Sequence, residues 1–384
     1  MSSISRRQTS AEYEQPLSAP GPARRSLPFA RAAPRARLTH RGPSMPLTDL
    51  TLAQCLALRP DLDEPADLDA FWEQTLREAR DAGGAPGFTP VDTGLTEVVT
   101  HDVTVSGFAG EPVRGWLHLP ARAGGPLGCV VEFLGYGRGR GLAHEQVLWA
   151  NAGHAHFIMD TRGQGWSTAG GDTPDTAALN GTVPGFLTRG VESPHDHYYR
   201  RVFTDAVRFV EAARAHPAVD PDKVVVTGVS QGGGIALAVA GLVPGLAGVM
   251  PDVPFLCDIR RGATIAARPP YTEIAEYLRL HRDRGETVFT TLSYVDAALL
   301  AARATAPSLF SIAMMDEICP PSTSFAAYHR YGGPKDLRVY EFNGHEGGGG
   351  HHRREQLAWV RELLHAPGPE AAHPLSALHD PQLA

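Results

Sequence analysis

This chain of 384 residues is expected to adopt an α/β fold, a mostly parallel sheet with helices on both faces. Three observations carry that expectation. From Cys129 onward, short β-branched or apolar runs alternate with helical patterns, the order that βαβ units produce. The run Val224-Val225-Val226-Thr227 ends in Gly228-Val229-Ser230-Gln231-Gly232 and passes at once into the apolar stretch Ile235 to Val243. Strand, sharp turn bearing a serine, then helix is the nucleophile elbow of α/β-hydrolases. Finally, Asp316 and His345 each follow a further strand pattern, so serine, acid and histidine occur in the order that this architecture uses.

In chain order, residues 1–44 hold eight Arg, two acids and no hydrophobic period, and read as a disordered Arg/Pro-rich leader. Ser5-Arg6-Arg7 is similar to a twin-arginine signal, but no apolar stretch follows it. Met45 is expected to open the folded domain, 45–366. Ala66 to Gly83 carries Leu68, Phe71, Trp72 and Leu76 at helical spacing, with Asp67 and Asp69 at its start, and predicts an amphipathic helix. Thr96 to Ser106 and Val113 to Leu119 alternate like strands around the turn Gly107 to Pro112, an antiparallel opening hairpin.

The alternating part then reads as strand (Cys129 to Leu134), helix (Leu142 to Ala152), strand (Ala155 to Asp160), helix (Tyr198 to His216) and the strand Lys223 to Thr227. Past the elbow, strands are expected at Ala247 to Val253, Ser308 to Met314 and Leu337 to Phe342, with helices at Ser322 to Tyr331 and Arg353 to Leu364. Residues 256–306 show helical patterns without a strand, an inserted cap or packing segment. Residues 367–384 read as a flexible tail.

Composition excludes several classes. The chain is 42% apolar, enough for a large core, and contains no apolar run of membrane-spanning length. Cys55, Cys129, Cys257 and Cys319 are far apart, which fits a reducing compartment and neither a disulfide scaffold nor a zinc knuckle. Outside the basic leader the balance is −13, so nucleic acid is not an expected partner. A cytoplasmic location is the expectation.

A serine hydroxyl needs a base to take its proton, and the base needs an acid to hold its tautomer. Ser230, His345 and Asp316 fill these roles. Glu317 neighbours Asp316 but would point elsewhere, Asp252 lies close to Ser230 in the chain, and His351 and His352 read as decoys in a glycine-rich loop. His345-Glu346 lacks the second histidine of a zinc site, and Gly135 to Gly141 lacks phosphate-loop spacing, so neither metal nor cofactor is expected. Two backbone donors must hold the developing oxyanion: the N–H of Gln231, and that of Tyr136 in the loop Phe133-Leu134-Gly135-Tyr136-Gly137.

Asp160-Thr161-Arg162-Gly163-Gln164-Gly165, the elbow Gly228-Val229-Ser230-Gln231-Gly232, and His345-Glu346 together resemble the signatures of the acetyl xylan esterase and cephalosporin C deacetylase family. The blocks Phe186 to Gly190, Tyr198 to Arg201 and Pro320 to Tyr328 resemble it too, so the likeness runs from about Met45 to about Ala366. The resemblance implies a cofactor-free serine esterase acting on small acetylated sugars or cephalosporin C-like compounds, with Ser230, Asp316 and His345 as triad. It implies that Arg162 and Gln164 brace the site, that Tyr136, Pro254 and Cys319 line a small acyl pocket, and that the chain forms a homo-oligomer, a hexamer. Leu134 and Val229 depart from the family's usual His and Gly. Rival readings are a broad carboxylesterase, an oligopeptidase-type hydrolase, for which the length leaves no propeller, and a silent scaffold.

Overall fold

The computed structural model describes residues 49–177 and 182–365; the expected leader and tail lie outside these. Strands β1 (Gly87–Val91), β2 (Val98–Ser106), β3 (Pro112–Pro120), β4 (Leu127–Phe133), β5 (Ala155–Met159), β6 (Val219–Val229), β7 (Gly248–Asp252), β8 (Ser308–Ala313) and β9 (Lys335–Tyr340) form one nine-stranded sheet. Its order is β1-β2-β3-β5-β4-β6-β7-β8-β9. The β1–β2, β2–β3 and β3–β5 pairs are antiparallel, and every later pair is parallel. The predicted hairpin is β2–β3. The edge strand β1, short and carrying Pro90, escapes the sequence pattern.

Helices α1 (Leu52–Ala57), α2 (Leu68–Asp81), α3 (Leu148–Asn151), α4 (Tyr198–Ala215), α5 (Gln231–Leu242), α6 (Ile259–Ile265), α7 (Thr272–Leu280), α8 (Gly285–Ser293), α9 (Ala297–Leu300), α10 (Pro321–Arg330) and α11 (Gly349–His365) pack around it. Along β4 and β6, alternate residues serve different faces. Val131, Phe133, Val224 and Val226 join the core formed with α2, α4 and α5, while Val130 and Val225 meet Trp149 of α3 and Val360 and Leu364 of α11. Both faces are therefore covered, as the near-continuous apolar strands require. Helix α5 is apolar all round and almost wholly buried, the pattern of a helix enclosed on every side.

Two expectations change. Of the helix expected over Leu142 to Ala152 only Leu148–Asn151 is helical, because Gly141 at φ +64° and the Leu142 N–H bonded to Glu145 Oε2 (2.9 Å) hold the preceding chain in turns. His351 and His352 lie in the first turn of α11 and not in a loop. Residues 256–306 form α6 to α9 without a strand, as expected. No helix among the described residues is long and apolar enough to cross a membrane.

Strand β4 is flanked by β5 on one side and β6 on the other. The chain thus runs from β4 to β5 on one side and then returns past β4 to β6 on the other, a reversal at whose C-terminal edge open α/β sheets form their crevice. Tyr136 follows β4 there, and Ser230 follows β6.

Candidate active site

Ser230 sits between β6 and α5 with φ +60° and ψ −119°, a conformation that costs a non-glycine residue on the order of 1–3 kcal/mol. The surroundings enforce it. The Ser230 N–H donates to the Asp252 carbonyl (2.9 Å), and the Ser230 carbonyl accepts from the N–H groups of Gly234 and Phe255, both at 3.0 Å. Only glycine fits on either side. A Cβ on Gly228 would lie 2.3 Å from the Gly232 carbonyl carbon, and one on Gly232 would lie 2.1 Å from the Phe133 carbonyl oxygen.

Asp316 follows β8 and is fully buried; its Oδ1 accepts from the N–H groups of Ile318 (2.8 Å) and Cys319 (2.9 Å). Its other oxygen, Oδ2, lies 2.8 Å from His345 Nδ1, after β9. A carboxylate with one oxygen fixed by two backbone donors can present only the second to the imidazole, which sets the ring's orientation and tautomer. Glu317, the neighbouring acid, is exposed. Cys319 is buried beside the Ser230 hydroxyl, and burial pushes its thiol well above the ordinary range, so it stays a small neutral group there. The ligand atoms of Asp316, Cys319 and His345 lie within 4.8 Å of one another, but the Asp316–His345 hydrogen bond already occupies two of them.

Tyr136 and Gln231 are joined through Gln164. The Gly137 N–H donates to Gln164 Oε1 (2.7 Å), Gln164 Nε2 donates to Gln231 Oε1 (2.8 Å), and Gln231 Nε2 donates to the Leu134 carbonyl (3.1 Å). One amide pair thus spans the loop after β4 and the start of α5, fixing the spacing of the two candidate oxyanion donors. The Tyr198 and Tyr199 hydroxyls complete it, at 3.0 Å from Gln164 Nε2 and 2.9 Å from Gln231 Oε1. Arg162 sits one layer out. Burial opposes its charge, yet Asp205, with hydrogen bonds of 2.6 and 2.8 Å, and Glu111 hold its pKa above the ordinary value. The Arg162 carbonyl accepts the Tyr198 hydroxyl (2.6 Å), so the ion cluster fixes the tyrosine that holds Gln164.

Pro254 is buried just beyond β7, with its Cα close to Gly233 at the start of α5. Of the two departures, Leu134 turns its side chain into a cluster with Trp116 and Ile158. Val229 lines a cavity of about 290 Å³ that also touches Asp252, Ser311, Glu346, His352 and Gln356. Neither Ser230 nor His345 lines this cavity.

Asp252 does not meet His345. Its carboxylate accepts from Ser311 Oγ (3.1 Å) and Gln356 Nε2 (2.8 Å) and lies 2.9 Å from His352 Nε2, while His352 Nδ1 lies 3.0 Å from the Tyr340 hydroxyl. The two tyrosines after the α4 cap lay in a recognisable block. The role of Asp252 and the contact of Glu273 with Tyr136 (2.6 Å) had no sequence signal, because each depends on a partner remote in the chain.

Residues 45–363 match the family model for acetyl xylan esterase. An acetyl xylan esterase structure from a Paenibacillus species is 35% identical, with a TM-score of 0.76, covering 81% of this chain and 99% of that one. Acetyl xylan esterase 1 from a Thermoanaerobacterium species is 31% identical, with a TM-score of 0.76 and coverage of 82% and 99%. Acetyl esterase Axe7A of Xylanibacter ruminicola is 26% identical over 306 residues, 75% of this chain; the chain spans 65% of that relative's length. A prolyl endopeptidase structure shares the fold at 18% identity, with a TM-score of 0.53 over 72% of this chain and 40% of that one.

Proposed function

The chain belongs to the acetyl xylan esterase family, and from that premise we propose that it hydrolyses acetyl esters of small sugars, or of cephalosporin C-like alcohols, through an acetyl-serine intermediate. The observation that carries the reading is the 2.8 Å contact of Asp316 Oδ2 with His345 Nδ1, on the sheet edge that also carries the strained Ser230. With Nδ1–H held by the carboxylate, His345 Nε2 is the free base. Nε2 removes the Ser230 proton as Oγ attacks the acetyl carbonyl. The oxyanion is stabilised by the N–H groups of Tyr136 and Gln231, the latter at the positive end of α5. As the tetrahedral intermediate collapses, the ester C–O bond breaks and the alkoxide leaves with the proton from Nε2. Water, deprotonated by the same nitrogen, then attacks the acetyl-Ser230 carbonyl, and acetate departs with Ser230 reprotonated.

Tyr136, Pro254 and Cys319 form the acyl wall in this reading. Each added methylene must displace packed atoms while the carbonyl oxygen stays in its hole, which costs on the order of 1–3 kcal/mol. With p-nitrophenyl esters, acetate is expected to exceed butyrate by about a hundredfold in kcat/KM, and octanoate to be nearly inert. A flat profile would reject the deacetylase reading in favour of a broad carboxylesterase. A homo-oligomer, a hexamer, and a cytoplasmic location remain part of the proposal, and light scattering tests the first.

A further inference from the structure

Tyr136 carries two duties in the proposed reaction: its N–H holds the oxyanion and its ring closes the acyl pocket. Both demand that the residue stand still. Its ring packs edge-on against Trp166 (5.4 Å between centroids), Phe186 (6.0 Å) and Phe255 (6.3 Å), contacts that allow sliding. Its hydroxyl is fixed more sharply. It donates to Glu273 Oε1 (2.6 Å) and accepts from the N–H groups of Phe186 (3.1 Å) and Gly185 (3.2 Å). The Glu273 carboxylate in turn accepts from the N–H groups of Gly185 on Oε1 and Leu187 on Oε2, each at 3.1 Å.

Glu273 is itself held. It lies in the first turn of α7, where the helix end favours negative charge. Tyr271, which caps that helix, is fully buried; its ring packs edge-on against Phe255 (4.5 Å), and its hydroxyl donates to the Cys257 carbonyl (2.8 Å). The carboxylate ties the inserted helices to two pieces that already touch, the loop after β4 and the segment 185–187.

We propose that Glu273 is a positioning residue of the active site: acting through the Tyr136 hydroxyl, it fixes the oxyanion donor and sets the size limit of the acyl pocket. The inference rests on the oxyanion role of Tyr136 proposed above. An oxyanion donor acts in the transition state and hardly in the ground state, so its misplacement lowers kcat and leaves KM nearly unchanged. A wall residue released from its anchor also admits longer acyl chains.

The test measures kcat and KM of the full chain on p-nitrophenyl acetate and butyrate for Glu273→Ala, Glu273→Gln, Tyr136→Phe and the double variant Tyr136→Phe/Glu273→Ala. Glu273→Ala is expected to lower kcat on acetate by about tenfold to a hundredfold, with KM within about threefold, and to shrink the acetate-to-butyrate ratio. Glu273→Gln, whose amide oxygen still accepts the phenol, should recover most of both. Tyr136→Phe, which also releases the Gly185 and Phe186 N–H groups, should lose at least as much as Glu273→Ala, and the double variant should be no worse than Tyr136→Phe alone, because both substitutions break the Tyr136–Glu273 bond. Should the alanine chain fail to fold by circular dichroism, Tyr136→Phe, which deletes one oxygen, carries the same expectation. Wild-type kcat and acyl ratio in folded Glu273→Ala, or losses that multiply in the double variant, would overturn the inference. Activity lost in Ser230→Ala but unchanged in these variants defeats this inference alone; wild-type turnover that survives Ser230→Ala defeats the proposed function as well.

Discussion

Two histidine–aspartate pairs occupy the same edge of the sheet, and their difference shows what a catalytic pair requires beyond proximity. His345 and Asp316 stand at 2.8 Å after β9 and β8, and His352 and Asp252 at 2.9 Å between α11 and the end of β7. Distance does not separate them. The environment of the second ring nitrogen does. His352 is 3% exposed, with Nδ1 facing the Tyr340 hydroxyl at 3.0 Å and Nε2 buried 2.9 Å from Asp252 without hydrogen-bond geometry, so burial keeps both nitrogens from a substrate. The His345 side chain is 26% exposed, and its Nε2 has no hydrogen-bond partner among the described residues. The acids differ too. Asp316 is bound by backbone N–H groups of its own loop, whereas Asp252 is shared among Ser311 of β8 and Gln356 and His352 of α11. One pair leaves a ring nitrogen open, as the proposed proton exchange needs. The other fastens β7, β8, β9 and α11 beneath the loop that carries His345.

The largest expected effect separates the histidines. His345→Ala should lower kcat/KM by about a thousandfold or more, as should Ser230→Ala, because members of a triad act as a unit. His352→Ala should stay within about tenfold of wild type while lowering Tm. Steady-state kinetics beside thermal melts decide between them, and a reversed pattern would exchange the roles.

The acids should diverge next. Asp316→Asn removes the acceptor that holds the histidine's tautomer, and a loss of about a thousandfold or more in kcat is expected. Asp252→Asn keeps the volume but leaves Ser311 and Gln356 donors poorly matched in a buried site, a cost on the order of 1–3 kcal/mol in stability. Its kcat should fall far less, and Glu317→Gln should change neither quantity. Urea unfolding and kinetics on the same samples separate the two classes. Near-normal turnover in Asp316→Asn, with loss in Glu317→Gln, would reassign the acid.

Much of this site could be read from the sequence because its pieces are local. A β-branched run, glycines on either side of a serine and an apolar helix dictate the elbow through backbone sterics alone, and the positions of Asp316 and His345 follow from strands that end just before them. What escaped notice is non-local. Asp252 reads as an acid close to Ser230 in the chain, and His352 as a decoy, since the partners of the first lie on β8 and α11 and those of the second on β7 and β9. Glu273 stands in an ordinary helical stretch, and its contact with Tyr136 is set only once the inserted helices fold onto the β4 loop. The helix expected after Leu142 fails for the opposite reason: an apolar pattern was present, but Gly141 and Glu145 commit the backbone to turns. The edge strand β1 is short and contains a proline, so period and propensity both argued against it.

The smallest expected effect comes from a third histidine, which has neither of those roles. His118 on β3 is fully buried, its Nδ1 2.9 Å from Thr100 Oγ1, and near it His156 lies 3.0 Å from Glu132. Burial first, and then His156, lower the His118 pKa from 6.5 to about 3. The unfolded chain therefore binds a proton at this residue near pH 6.5, while the folded chain resists it until about pH 3. Stability from this group is complete above pH 6.5 and is lost as pH falls toward 3, by about 1 kcal/mol already at pH 5.5. Glu132, held down to about 2 against burial by the hydrogen bond to His156, loses its contribution only as pH falls from about 4.5 toward 2, so it hardly contributes between pH 7.5 and pH 5.5. His197, which burial lowers to about 4, does contribute. The contribution of His118 is therefore read as a difference between two proteins. His118→Gln retains a partner for Thr100 and cannot titrate. Chemical denaturation at pH 7.5 and pH 5.5 should show a smaller acid-induced loss for the variant than for wild type, by about 1 kcal/mol. Equal losses would mean that His118 is protonated in the folded chain, and that burial does not keep this histidine neutral as proposed.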